Sequence, residues 1–120
     1  MREYKLYIGG AWQDNTDGEV MDDFNPATGE LMARVHMAGA ADAEKALAAA
    51  HAARAVWGSA QPDVRERLLL RAADVMEARA EELTELMIAE SGSARYKARG
   101  EVLGSAGVLR VAAGECRRVH

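Results

Sequence analysis

Cysteine is almost absent from this chain. Cys116 stands alone, which excludes an intrachain disulfide and fits a reducing, cytoplasmic setting. Proline is scarce too: Pro26 and Pro62 are the only two, and with 11 glycines in 120 residues they exclude collagen-like and low-complexity classes. No apolar run approaches the roughly 18–20 residues of a membrane helix, and the opening Met1-Arg2-Glu3-Tyr4 lacks a signal-peptide hydrophobic region. A cytoplasmic chain without membrane contact is therefore expected. Neither sign of charge dominates: 19 acids against 15 bases leave −4, so no general attraction to phosphate backbones, and no nucleic-acid partner, is expected. A Gly-x-Gly-x-x-Gly turn between strand and helix is also missing, which removes the usual dinucleotide cradle.

What is present is globular: 49% hydrophobic and 28% charged residues exclude a disordered chain. At this length a compact fold buries roughly two-thirds of the surface of its extended chain. The first 36 residues read as short strands and turns. Tyr4–Ile8, a Gly9-Gly10 reversal and Ala11-Trp12-Gln13 make a hairpin. Val20–Phe24 and Leu31–Val35 flank Asn25-Pro26-Ala27-Thr28-Gly29, where a fixed proline φ and a permissive glycine favour a turn.

Near residue 38 the period changes. Residues 40–57 hold ten alanines and no Gly or Pro, a strong helix signal, with Leu47, Ala50, Ala53 and Trp57 near helical spacing and Gly58 as its stop. A second helix starts at Pro62-Asp63, with Asp63 and Glu66 at capping-box spacing, and runs to about Glu90 before Gly92. Its stripe is Leu69, Ala72, Met76, Leu83 and Met87, widened by Val75 and Leu86. A third helix, about 94–118, turns Val102, Leu109 and Ala113 to one side. Gly100, Gly104, Gly107 and Gly114 interrupt it, each at about 0.5–1 kcal/mol relative to Ala, which calls for either a close helix approach or room for a ligand.

Catalytic chemistry is hard to find. His36, His51 and His120 match no zinc spacing and read as surface or structural residues. Cys116 has Arg117 and Arg118 beside it, a setting that can lower a thiol pKa, but no base at catalytic spacing. Glu81-Glu82 and Asp22-Asp23 read as solvated pairs. Residues 95–120 carry six bases against Glu101 and Glu115, a solvated basic helix face with only Tyr96 available for stacking.

Several ordered segments resemble the amino-terminal quarter of the aldehyde dehydrogenase superfamily. Tyr7-Ile8-Gly9-Gly10-Ala11-Trp12 resembles its opening hairpin, and Asn25-Pro26-Ala27-Thr28-Gly29-Glu30 its Asn-Pro-x-Thr-Gly-Glu turn. Asp42–Trp57 and Arg65–Glu82, including Arg79-Ala80-Glu81-Glu82-Leu83, resemble its next two helices. Glu90-Ser91-Gly92-Ser93-Ala94 departs from the common Glu-Thr-Gly-Lys-Pro pattern and resembles the variant of benzaldehyde and vanillin dehydrogenases.

The resemblance implies an α/β fold, the amino-terminal part of a Rossmann-type coenzyme domain, seen here as short antiparallel strands followed by three α-helices. Residues 1–120 would form one partial region, β-hairpin over 1–38 and helical over 39–120. Family members oxidise an aldehyde to a carboxylic acid with a cysteine nucleophile, a glutamate-activated water and NAD or NADP as hydride acceptor. Those residues follow the point matched by His120, so no catalytic and no cofactor-binding residue is assigned here, and Cys116 lies in the wrong segment to be the nucleophile.

NAD or NADP belongs to the full-length parent, and none is expected to bind this chain alone. The resemblance also implies a structural Na⁺ or K⁺ at the Phe24 carbonyl and Glu90, and a substrate tunnel passing Gly100 and Gly104. Its partners would be the remainder of the enzyme and, in the parent, further copies. The isolated chain is expected to be inactive and of poor stability, its helices lacking the sheet they cover. A second reading is a non-catalytic helical module that binds a partner or a second copy through the Leu69–Met87 stripe, or a decayed-gene product.

Overall fold

The strand read over Tyr4–Ile8 is two strands in the computed structural model, which describes residues 2–118. β1 (Arg2–Tyr4) and β2 (Leu6–Ile8) part at Lys5 and serve different sheets. β2 pairs antiparallel with β3 (Ala11–Gln13), Tyr7 opposite Trp12 with ring centroids 4.9 Å apart. Gly9 and Gly10 between them take φ of 62° and 85°, the positive values a two-residue hairpin turn demands. β4 (Val20–Phe24) and β5 (Leu31–His36) form the expected second ribbon. The Asn25 side chain closes its turn by accepting from Ala27 N (2.9 Å) and Thr28 N (3.3 Å).

The expectation of purely antiparallel strands fails at β1, which pairs parallel with β5, Arg2 opposite Ala33, giving the order β1-β5-β4. That pairing joins residues about thirty apart, and local alternation carries no signal for it. β5 is thus central, and Ala33 and His36 are its buried residues.

The change from strand to helix falls at residues 37–39, as expected. α1 (Ala40–Ser59) nevertheless groups with the strands, since the chain divides into units Met1–Gly58 and Ser59–His120. Gly58 does not stop α1; it stays helical, outside the residues with positive φ. The helix start is assembled from two segments. Gly39 O accepts from Ala43 N (3.0 Å), Asp17 Oδ2 accepts from Ala41 N (3.0 Å), and Asp42 reaches back to Gly39 N (3.4 Å). These are the exchanges of a capping box, with Asp17 from the preceding loop supplying the N-cap acceptor. A Cβ on Gly39 would fall on the Asp17 carboxylate, and one on Gly18 would fall on the Met37 carbonyl, so both close approaches require glycine.

The apolar side read for α1 is left uncovered. Leu47 is 71% exposed, Val56 and Trp57 are exposed too, and Asp42 is the fully buried side chain. The hairpin tip instead lies over alanines: Gly9 would place a Cβ 3.8 Å from Ala49 Cβ.

In the second unit the single helix expected over 62–90 is two, α2 (Pro62–Ala78) and α3 (Ala80–Ser91), so the described residues form four helices and not three. Arg79, at φ −104° and ψ 16°, separates them. Its N–H still bonds Val75 O (3.1 Å) while its carbonyl receives Leu83 N (3.0 Å), and Thr84 Oγ1 donates to Ala80 O (2.7 Å), a back-bond that bends helices. No proline or glycine marks this bend. Asp63 and Glu66 make no capping box, because they pair with Arg67 and Arg117 instead, and Pro62 opens the helix behind Gln61. Gly92, in left-handed conformation, ends α3 as expected.

α4 (Arg95–Glu115) packs on both α2 and α3. The buried set is small: Ala73, Ala80, Thr84, Ala98, Val102, Ala106 and Ala113. Larger residues stay out, with Leu68 54%, Val75 42% and Val108 68% exposed. The chain exposes 8364 Å², so it buries only roughly 55% of its extended surface and not two-thirds. No described helix is long and apolar enough to cross a membrane.

Candidate functional site

The second unit holds a cleft of about 280 Å³ between α3 and α4. It is lined by Met76, Leu83, Leu86, Met87, Glu90, Glu101, Val102 and Ser105. Its floor is the apolar stripe read from the sequence, and two carboxylates and a hydroxyl stand at its edge. A shallower apolar depression lies along Leu68, Ala72, Val75, Met76 and Leu83.

Glu90, a residue of the implied cation site, therefore lies in the last turn of α3 on the cleft, exposed. Phe24, the other, ends β4 in the first unit opposite Leu31, beside a register shift that frees the strand from strict pairing. Gly100 and Gly104 lie one turn apart on α4. They are not lining residues of the cleft, which takes Glu101, Val102 and Ser105 from the adjoining face.

A Cβ built on Gly100, Gly104, Gly107 or Gly114 meets nothing within 4 Å. Close helix approach is therefore not the reason for these glycines within the described chain; it is the alanines that close the helix contacts. Gly104→Ala is accordingly expected to stabilise the helical unit by about 1 kcal/mol, read as a higher urea midpoint in far-ultraviolet circular dichroism.

The basic run of α4 is neutralised by acids. Arg95 pairs with Glu81 (2.6 Å) and with Glu85, Arg99 with Glu81, Lys97 with Glu101, and Arg110 with Asp74 (2.9 Å) and Glu77 (2.7 Å). Glu77 first, then Asp74, hold the Arg110 guanidinium above its ordinary pKa. Arg117 holds the Glu66 carboxyl below its ordinary range. Apart from half-buried Glu66, these groups are exposed, and the pairs are worth little singly.

The same pairing removes the electropositive setting suggested for Cys116. Arg117 binds Glu66 and Arg118 binds Glu115 (2.7 Å), and the thiol donates to Ala112 O (3.5 Å). Among the described residues nothing prepares it as a nucleophile. Glu81 and Glu82 are ion-paired, Glu82 with Arg79, and Asp22 pairs with Arg34 (3.1 Å). Of the histidines, His51 is exposed, His36 is buried at 8%, and His120 lies outside the described residues.

Residues 12–120 match the sequence model described as "Aldehyde dehydrogenase family". A betaine aldehyde dehydrogenase of Rhizobium etli is 45% identical over 86 residues, 72% of this chain and 18% of that protein. A salicylaldehyde dehydrogenase from Pseudomonas putida G7, solved with salicylaldehyde, superposes with TM-score 0.93 at 35% identity, over 100% of this chain and 25% of that one. An NAD-dependent benzaldehyde dehydrogenase from Corynebacterium glutamicum gives 0.92 at 33% identity, over 97% and 25%. The chain thus spans about a fifth to a quarter of the length of these relatives.

Proposed function

Because the chain belongs to the aldehyde dehydrogenase family, we propose that it is the amino-terminal segment of an NAD(P)-dependent enzyme oxidising an aromatic aldehyde to its acid, inactive in isolation. The observation carrying this is the superposition of the whole chain on a quarter of a salicylaldehyde dehydrogenase at 35% identity. The Glu90-Ser91-Gly92-Ser93 variant agrees with the aromatic substrate.

The residues present do not fit a dinucleotide. Gly9 and Gly10 sit in a hairpin, while Gly100, Gly104 and Gly107 lie inside a helix, and a pyrophosphate cradle needs glycines at a strand-to-helix turn. No step of hydride transfer is therefore assigned to this chain. Its role is scaffolding. The apolar cleft of Met76, Leu83 and Met87 offers a surface for the remainder of the enzyme. Gly100 and Gly104, unobstructed on α4, leave space for an aromatic ring beside it. The Phe24 carbonyl and the Glu90 carboxylate are oxygen donors of the hard type that suits Na⁺ or K⁺. In the assembled enzyme further copies would complete the oligomer.

The test is spectrophotometric. The purified chain, given NAD⁺ or NADP⁺ with benzaldehyde, is expected to form no reduced cofactor above the blank. Co-expression with the benzaldehyde dehydrogenase of Corynebacterium glutamicum lacking its matching quarter is expected to restore turnover. Turnover by the chain alone overturns the inactivity. Failure of two folded pieces to associate, with the chain pairing only with itself, supports the interaction-module reading.

A further inference from the structure

His36 ends β5 with its side chain only 7% exposed. Its Nδ1 lies 2.6 Å from Asn15 Oδ1 and 3.2 Å from Asn15 N. These two neighbours ask opposite things of the nitrogen, since one accepts and the other donates. Asn15 Nδ2 donates to Glu19 O (3.2 Å), which turns Oδ1 toward the ring, and the shorter contact decides. Nδ1 carries the proton and donates to Oδ1.

Nε2 faces carboxylate oxygens: Glu3 Oε1 at 2.7 Å, a hydrogen-bonding distance, and Asp14 Oδ1 at 3.8 Å. The three ligand atoms lie within 4.8 Å of one another. Three side chains converging in this way offer a metal ion one nitrogen and two oxygens. A proton on Nε2 serves Glu3 and Lys5 Nζ serves Asp14, whereas one divalent ion serves all three.

We infer that Glu3, Asp14 and His36 form a binding site for a divalent transition-metal ion of the zinc class. One imidazole nitrogen and two carboxylates suit that ion, with water completing its shell. The Asn15 amide supplies the outer hydrogen bond that fixes a ligating histidine's tautomer and orientation. Metal–ligand bonds of about 2.0–2.2 Å place ligand atoms roughly 3.3 Å apart in a tetrahedron. The Nε2–Glu3 distance must therefore open by about half an ångström and the Nε2–Asp14 distance close by as much. Glu3 and Asp14 are 56% and 63% exposed and free to make that shift, while the buried ring stays in place.

Lys5 Nζ, 2.7 Å from Asp14 Oδ1, is the ammonium the ion would displace. The ligands come from β1, from the segment after β3 and from the end of β5, so the ion staples three segments of the first unit. The 3-14-36 separation matches no metal motif, which is why sequence spacing is silent about it.

Titration of Zn²⁺ into the 120-residue chain by calorimetry tests this. Expected are one saturable ion per chain, a raised melting temperature, and binding at least about tenfold weaker in Asp14→Asn and in Glu3→Gln, both exposed positions whose change leaves the fold intact. Lys5→Met, which removes the competitor, is expected to tighten binding severalfold. The site is refuted by an absence of saturable uptake, by wild-type affinity in both carboxylate variants, or by His36 resonances that do not respond to metal.

Discussion

Leucine at position 106 is expected to destabilise the helical unit by about 1–3 kcal/mol or more. Ala106 is fully buried, as is Ala98 two turns earlier, in the face that α4 applies to α2 and α3. Ala73, Ala80 and Thr84 are the buried residues on the other side of those contacts. Helices whose facing positions carry a methyl or a hydroxyl approach closely, and no space remains for an isobutyl group without moving an axis. A unit of about 60 residues has a total stability of only roughly 3–9 kcal/mol, so the substitution removes a large part of it. Urea unfolding should show Ala106→Leu and Ala98→Leu with clearly lower midpoints, while Gly104→Ala, two positions from Ala106, moves the midpoint upward. Opposite signs for neighbouring small residues discriminate a closed helix contact from an open face. An unchanged midpoint in both leucine variants would mean that α4 does not lie on its neighbours through this face.

The contrast also explains what could be read in advance. The turns at Gly9-Gly10 and Asn25–Gly29, the proline at the start of α2 and the stop at Gly92 were legible because each rests on a local conformational preference of one or two residues. The non-local features were not. The parallel pairing of Arg2–Tyr4 with β5 leaves no mark on either segment, and the bend at Arg79 lies in Arg79-Ala80-Glu81-Glu82-Leu83, a run with good helix propensity throughout.

Leu47 and Trp57 of α1 were legible as an apolar period, and helical spacing alone does not say whether such a side is covered. In this chain the apolar residues of α1, and Leu68 and Val75 of α2, are exposed, while the interior is built of alanine. Such surfaces agree with a segment that serves a larger body. The same holds for the sites. The Leu69–Met87 stripe was visible as a period, but Glu101 and Ser105 join it only through the packing of α4. Glu3, Asp14 and His36 meet only because β1, the residues after β3 and the end of β5 are brought together.

Loss of the Asp42 carboxylate is expected to unfold the first unit well before the second. Its side chain is 1% exposed, and it accepts from Thr16 N at 2.9 and 3.1 Å and from Gly39 N at 3.4 Å, with Lys45 Nζ 3.8 Å away. The Thr16 hydroxyl and then its backbone N–H hold this carboxyl below the ordinary value of 3.8. Alanine at this position takes the acceptor from those part-buried donors and removes half of the helix cap. The apparent melting temperature of this unit should fall by about 5 °C or more.

The acid response follows from the sign of the shift. A carboxyl whose pKa is lower folded than unfolded contributes its stability above the unfolded value, and that contribution drains away as pH falls from about 4 through the depressed folded value. Asp42→Asn removes the titrating group and should flatten this acid limb while lowering stability at neutral pH, since an amide nitrogen cannot accept from Thr16. Trp12 and Trp57 are the only two tryptophans and both lie in residues 1–58, so tryptophan emission reports this unit alone. Identical acid midpoints for the wild-type and Asp42→Asn chains would show that the buried carboxylate does not hold the loop to α1.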